Sequence, residues 1–294
     1  MDAVGNNGSH GQESSGRADD ASGGRRQTPW PLVVVALLLV VGPFLAWYWT
    51  WFGRALGDDE IDKYLREGKP RHAQHALAQI EGRIEKGDKS AGRWFPQVVA
   101  LSQSPATDVR MTAAWVMGIE HKSEEFHMAL IRLLDDPEPI VRRNAALALV
   151  RYGDARCRDE LVAMLRPYTI RATAEGTALT ALTDGTPVKR DSLLVKFRIH
   201  PSLIEDVRSP LPGKIEKAHI KEGDNWSVGK ELFLISPDAD QVGDALVGLY
   251  YFGGTEDLAE VERYAVGVAG MPSDVKTKAA QTAEAIKRRV AKER

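Results

Sequence analysis

Two histidines three residues apart, His72 and His75, stand on one face of a helical pattern, the spacing at which two imidazoles share a metal ion. No carboxylate or third histidine follows at a useful distance, so solvated helix surface is the simpler reading. The single cysteine, Cys157, excludes an intrachain disulfide and any zinc site built from several thiolates. It lies in a helical pattern and reads as a buried, inert thiol rather than a nucleophile. The acids Asp58-Asp59-Glu60 and Asp135-Asp136 stand at helix N-termini, where carboxylates interact favourably with the helix dipole. Capping is therefore preferred to acid–base chemistry. No Gly-x-x-x-x-Gly-Lys-Ser/Thr, Gly-x-Ser-x-Gly or His-Glu-x-x-His occurs. These residues supply no catalytic, cofactor-binding or metal-binding set, and the chain reads as non-enzymatic, with no small-molecule substrate indicated.

The elements that carry these residues begin with an apolar run. The chain has 294 residues and a formal net charge of −2, which leaves room for more than one folded unit and gives no electrostatic footprint for nucleic acid. Residues 1–29 are rich in Gly, Ser, Asn and Asp and are expected to be a disordered tail, because they cannot bury enough surface to offset chain entropy. Residues 30–53 are expected to form a transmembrane helix. No charge occurs between Arg26 and Arg54, and about 20 apolar residues suffice to cross the hydrocarbon core. Trp30 at one end and Trp47, Tyr48, Trp49 and Trp51 at the other suit the two interfaces. A cleaved signal peptide is the rival reading, but Leu-Ala-Trp-Tyr-Trp after the core is a poor cleavage site. Arg17, Arg25 and Arg26 favour an inside N-terminus, so the bulk of the chain is expected outside the cytoplasm, in a bacterium the periplasm.

The next segment, 56–166, repeats itself. Pro105, Val109, Arg110 and Ala113-Ala114 match Pro137, Val141, Arg142 and Ala145-Ala146, at a constant offset (141 − 109 = 32). Proline opens a helix, Val and Leu recur at helical spacing, and paired alanines allow close helix approach. Weaker copies begin at Pro70 and at Ser273. Partner helices are expected near 94–102, 124–134 and 159–165. The x-Pro-x-x-x-Val-Arg-x-x-Ala-Ala pattern is similar to the second helix of HEAT repeats, and the resemblance implies an α-solenoid over about 58–166 and 238–290. Arg110, Arg142, Arg143 and Lys276 fall along a repeated position. They form either a basic stripe for an acidic protein partner or pairs with acids of neighbouring repeats.

Residues 167–237 break the helical pattern. They alternate and are rich in Thr, Val, Ile and Gly, as short strands are. Two halves correspond: Gly176 with Gly213, Gly185 with Gly223, Val188 with Trp226, Leu194 with Leu232 and Phe197 with Ile235. In the first half Asp191 stands where the second has Gly229. Ser-Pro-Leu-Pro-Gly213 followed by Lys221-Glu-Gly-Asp-x-x-x-x-Gly229 resembles the biotinyl/lipoyl-domain family, also seen in membrane fusion proteins. The resemblance implies an all-β barrel-sandwich hybrid. Family carriers hold a modified lysine in the hairpin between the halves. Here that hairpin, 198–206, has none, and the nearest, Lys196, lies inside the preceding strand, so no biotin, lipoate or other cofactor is expected.

After Pro237 the helical pattern resumes over 238–294. Leu149 matches Leu249 and Gly153 matches Gly253, both offset by 100. The β segment is thus expected to interrupt a helical array, and insertions of that kind often mark a binding face. The whole reads as multidomain: a single-pass membrane anchor, an α-solenoid and an inserted β module. The expected function is a scaffold or accessory subunit that binds a protein partner near the lipid bilayer. The alternatives are a periplasmic adaptor of a transport or secretion system and a repeat-protein enzyme of lyase type.

Overall fold

A computed structural model describes residues 30, 34–35, 37–43 and 55–293. The chain divides into two units, Met1–Ala55 and Leu56–Arg294. In the first, the described residues from Trp30 to Pro43 are helical, and Trp30, Val34, Val35 and 37–41 are exposed. Trp47, Tyr48, Trp49 and Trp51 lie outside the described residues, as does all of the expected tail, 1–29. Among the described residues no helix is long and apolar enough to cross a membrane.

The second unit begins with α1 (Asp58–Arg66), α2 (Pro70–Glu85), α3 (Phe95–Leu101) and α4 (Thr107–Ile119). It continues with α5 (Glu124–Leu133), α6 (Pro139–Tyr152) and α7 (Arg158–Met164). Local chemistry sets these boundaries. Pro70 and Pro139 open α2 and α6, where a missing N–H costs nothing. Ser123 accepts the Phe126 N–H to cap α5, and Gly153 ends α6 at φ 74°. Acids fill the first turn of α1, where Glu60 Oε2 accepts the Gly57 N–H at 3.2 Å. Asp136 does not cap α6. It lies in the turn before it and accepts the Glu138 N–H at 2.9 Å.

The strands follow, and then α8 (Ala239–Phe252), α9 (Leu258–Val266) and α10 (Ser273–Glu293). Helices α2, α4, α6, α8 and α10 pack side by side as one layer, and α1, α3, α5, α7 and α9 pack against it as a second. Each helix of the second layer meets the next helix in the chain, giving pairs α1/α2, α3/α4, α5/α6, α7/α8 and α9/α10. The β region therefore lies between the two helices of the fourth pair. The two sequence offsets agree with this geometry: 100 − 32 = 68, and Tyr168 to Ser236 spans 69 residues (236 − 168 + 1).

Despite the interruption, the helices share one apolar core. Leu161, Leu165, Leu246 and Leu249 are all fully buried in it. At the join a Cβ on Gly248 would lie 2.6 Å from Leu161 Cδ1 and 3.0 Å from Val150 Cγ2, so glycine is what lets α8 approach α7. Tyr264 Oη and Arg263 Nη2 both donate to the Leu165 carbonyl, at 2.7 and 2.6 Å. They satisfy a group that the end of α7 leaves without a helical partner.

The β region has its own core, distinct from the helical one. Its strands are β1 (Tyr168–Arg171), β2 (Gly176–Ala181), β3 (Pro187–Val188), β4 (Leu193–His200), β5 (Leu203–Arg208), β6 (Gly213–Ala218), β7 (Asn225–Trp226) and β8 (Glu231–Ser236). They form two antiparallel four-stranded sheets, in the orders β1-β8-β6-β3 and β5-β4-β2-β7. Shifting every strand number by four converts one order into the other, so the two halves of the sequence are also two halves of the topology. Val188, Leu194 and Phe197 are buried together with their counterparts Trp226, Leu232 and Ile235. Gly176 and Gly213 open equivalent strands for one steric reason. A Cβ on the first would overlap the Phe197 ring, and one on the second would overlap the Ser236 carbonyl oxygen and meet Ile235 Cγ2 at 2.9 Å. Asp191 holds φ 64° where Gly229 holds φ 84°, a backbone region that Asp tolerates better than most side chains. Among the described residues no barrel closes. The edge strands β3 and β7 are two residues long, too short to carry pairing from one sheet to the other.

Candidate interaction surface

The surface is built by the repeat itself. In α4 and α6, Val109 and Val141 point into the core, and the pairs Ala113-Ala114 and Ala145-Ala146 are fully buried. Small side chains bring the two helices close, and a Cβ on Gly118 would meet Ala148 Cβ at 2.7 Å. Close approach on the inner side fixes what points outward.

The repeated arginines are engaged within the array. Arg110 Nη1 donates to the carbonyls of Ser104 and Pro105 at 2.9 and 3.3 Å, while Nε and Nη2 form a bidentate pair with Asp136 at 2.7 and 2.9 Å. Arg142 repeats the scheme. Its Nη1 donates to the Asp136 and Pro137 carbonyls at 2.8 and 3.1 Å, and its Nε donates to Glu160 at 3.1 Å. Each arginine thus clamps the turn before its own helix and reaches an acid of the next unit. Asp136 is nearly buried, and burial works to raise its pKa. The hydrogen bonds from Arg110 and the Glu138 N–H, with the charges of Arg110 and Arg142, outweigh that and hold it below the ordinary carboxylate value. Arg143 is 4% exposed and donates to Gln241, whose amide in turn donates to the Pro212 carbonyl at 2.8 Å. Burial brings the Arg143 guanidinium down to about 10, which leaves it charged at neutral pH. This chain of contacts ties α6 and α8 to the β region. A second tie is Arg190, which pairs with Asp108 in the first turn of α4.

The other residues singled out by type are placed as follows. His72 Nδ1 lies 2.5 Å from Glu67 Oε2, and its ring stacks on Tyr64 at 4.3 Å. Among the described residues no three His, Cys, Asp or Glu side chains are grouped to hold a metal ion. Cys157 is fully buried, and burial pushes its thiol up to about 12. The hairpin between the two halves turns at Pro201-Ser202, with Lys196 inside β4.

What remains free is an apolar and aromatic line on the outer side of the α2/α4/α6/α8/α10 layer. Trp115, Leu147 and Val247 occupy one repeat position (147 − 115 = 32; 247 − 147 = 100). Trp115 is 47% exposed, Val247 48%, and Tyr250 and Tyr251 continue the line at 44% and 58%. Six large apolar side chains on the helices of this unit are exposed: these four, Met128 and Val266. Four of the six therefore sit on one face. Trp115 is also held in place, because its Nε1 donates to Glu81 at 2.7 Å and the Arg151 guanidinium lies 5.7 Å from its ring. Trp, Tyr and Arg are the residue types enriched at protein-binding hot spots. The sequence does carry a signal for it: the two repeat offsets place Trp115 and Val247 at one position.

The HEAT repeats family profile matches residues 96–179. The array is HEAT-like. The match begins in α3, takes in α4 to α7 and ends inside β2, so it spans the two strongest sequence copies and the first strands beyond them. Arrays of this kind offer extended surfaces on which proteins bind. Comparison with curated proteins finds no match.

Proposed function

We propose that this chain is a non-catalytic scaffold, anchored in a membrane through residues 30–53, that binds a protein partner on the outer face of its second-helix layer. The observation that carries this reading is the exposed line Trp115–Val247–Tyr250–Tyr251 on one face of a HEAT-like array. The anchor is supported by the uncharged run between Arg26 and Arg54 and its flanking aromatic residues. The arginines Arg110, Arg142 and Arg143 act in this reading as internal clamps that keep successive helix pairs in register.

A second reading is favoured by the β region. Its exchangeable halves and two-sheet order support a biotinyl/lipoyl-like module, as found in adaptors of transport and secretion systems. In that role the β region, rather than the helical face, would contact the partner.

Gentle detergent extraction from the native membrane, followed by purification through a C-terminal tag, tests the two. The scaffold reading expects a defined protein complex that Trp115→Ala and Tyr251→Ala weaken together. A complex lost only on substitution in β5 or β6 supports the adaptor, and the absence of any protein complex overturns both. A C-terminal alkaline phosphatase fusion is expected to be active, since Arg25 and Arg26 favour the inside. Activity from a cytoplasm-only reporter would contradict that orientation.

A further inference from the structure

Helix α10 from Ala280 onward and the end of α8 line an open trough of about 1000 Å³. Tyr250 and Tyr251 form one wall, with their rings 5.1 Å apart and edge to face. Ala280, Ala285, Arg288, Arg289 and Lys292 line it from α10. Arg289 is fixed, donating to the carbonyls of Tyr250, Tyr251 and Gly253 at 3.1, 2.5 and 2.7 Å. It therefore caps α8 and brings its charge to the rim.

The charge balance of the trough is uneven. Among the described residues Glu284 is the one acid in its lining, and it lies 3.7 Å from Lys287, which also pairs with Glu262 at 2.8 Å. Among the described residues no ion pair holds Arg288 or Lys292, and both are exposed. The trough thus joins, among the described residues, two tyrosines to two cations outside any ion pair and one fixed cation, on a chain whose net charge is −2. A short acidic peptide carries carboxylates and apolar side chains together, which matches cations set beside aromatic rings.

We infer that this trough takes an acidic segment of a protein partner, with carboxylates on Arg288 and Lys292 and an apolar side chain against Tyr250 and Tyr251. The inference rests on the scaffold reading and names the chemistry of its partner. Aromatic area supplies affinity, and the cations supply orientation and rate of encounter.

The test uses the full chain in neutral-lipid nanodiscs. Three probes are compared: a fluorescent peptide of Glu, Asp, Leu and Phe; the same peptide with Lys replacing the acids; and a water-soluble short-chain phosphatidylserine as competitor. The acidic peptide is expected to bind at least ~10-fold more tightly than the basic one, a difference of one decade in Kd. The pair Arg288→Glu/Lys292→Glu and, separately, Tyr251→Ala are each expected to weaken it by ~10-fold or more. Met128→Ala, on the opposite layer, is expected to leave it unchanged. All of these positions are exposed, and circular dichroism checks that each variant folds. Equal binding of the two peptides overturns the inference, as does acidic-peptide binding that the trough variants do not alter. Displacement by the short-chain lipid at lower concentration than the peptide assigns the trough to a lipid headgroup instead. If the peptide does not bind but partner contacts still map to Trp115 and Val247, the trough assignment falls and the scaffold stands. If neither is found, both fall.

Discussion

Gly248 tests whether the helices before and after the strands form one array. It lies inside α8, and a Cβ there would sit 2.6 Å from Leu161 Cδ1, 3.0 Å from Val150 Cγ2 and 3.1 Å from Leu161 Cδ2. In an open helix Gly→Ala stabilises by about 1 kcal/mol. Here the added methyl must displace a fully buried leucine, and overpacking of that kind costs about 1–3 kcal/mol. Gly248→Ala is therefore expected to be neutral to about 2 kcal/mol destabilising. Leu161→Ala alone removes the obstructing side chain and leaves a cavity, at a cost of about 2–5 kcal/mol. On that background only Val150 Cγ2, at 3.0 Å, still faces the Gly248 methyl, a contact that a shift of a few tenths of an ångström relieves, and its helix propensity is recovered. Gly248→Ala should then stabilise by about 1 kcal/mol, raising Tm by about 2–4 °C in a unit of this size. Thermal melts of the four proteins, followed by far-UV circular dichroism, close the cycle. Coupling of about 1–3 kcal/mol is expected, whereas distant sites add within about 0.5 kcal/mol. Additivity at that level would refute close packing of α7 on α8 and, with it, the continuity of the array across the β region.

Three further outcomes are expected. Asp136→Asn leaves Arg110 without its bidentate partner and should lower stability at neutral pH by about 3 kcal/mol, the scale of a broken, mostly buried pair. Because the folded pKa of Asp136 is depressed, this contribution is present above the ordinary carboxylate value and is lost as pH falls through the folded one. The difference from wild type in urea midpoint should therefore shrink below about pH 4. Cys157, buried and raised to about 12, should react with a thiol reagent only as the protein unfolds. Stoichiometric labelling of the native chain would contradict the packing around residues 155–157. Replacing residues 168–236 by a short Gly/Ser linker should leave a cooperatively folding helical protein, because loop-closure cost varies slowly with length. Loss of the helical signal would show that the β region is part of the core.

The local grammar of this chain is legible because it is set by neighbours in sequence. Val109-Arg110 and Val141-Arg142 locate α4 and α6, since apolar spacing and proline placement are properties of one helix at a time. The matched glycines locate the strands of both halves, since tight turns and close strand approach exclude larger side chains. The offset of 100 equates Gly153 with Gly253, and here position is shared but cause is not. Gly153 is needed for its left-handed backbone, whereas Gly253 has φ −63° and is needed because a Cβ would meet Ile286 Cδ1 at 2.7 Å. Contacts between distant segments are what periodicity leaves out. Whether Arg110 faces solvent or Asp136 depends on how one unit stacks on the next. The same holds for Trp115 with Glu81 and Arg151, and for the trough beside Tyr250, where side chains more than 30 residues apart meet only after stacking.

The most direct test of the scaffold is to ask which face touches a partner in the native membrane. A photo-activated cross-linking side chain would be placed singly at Trp115, Val247 and Tyr251 on one layer, and at Met128 and Val266 on the other, all exposed positions. Discrete protein adducts of one common mass from the first three positions, and none from Met128 or Val266, are the expected result. Adducts from Met128 and Val266 with none from Trp115, Val247 and Tyr251 would contradict the assignment of the binding face, and no protein adduct at any position would contradict the scaffold itself.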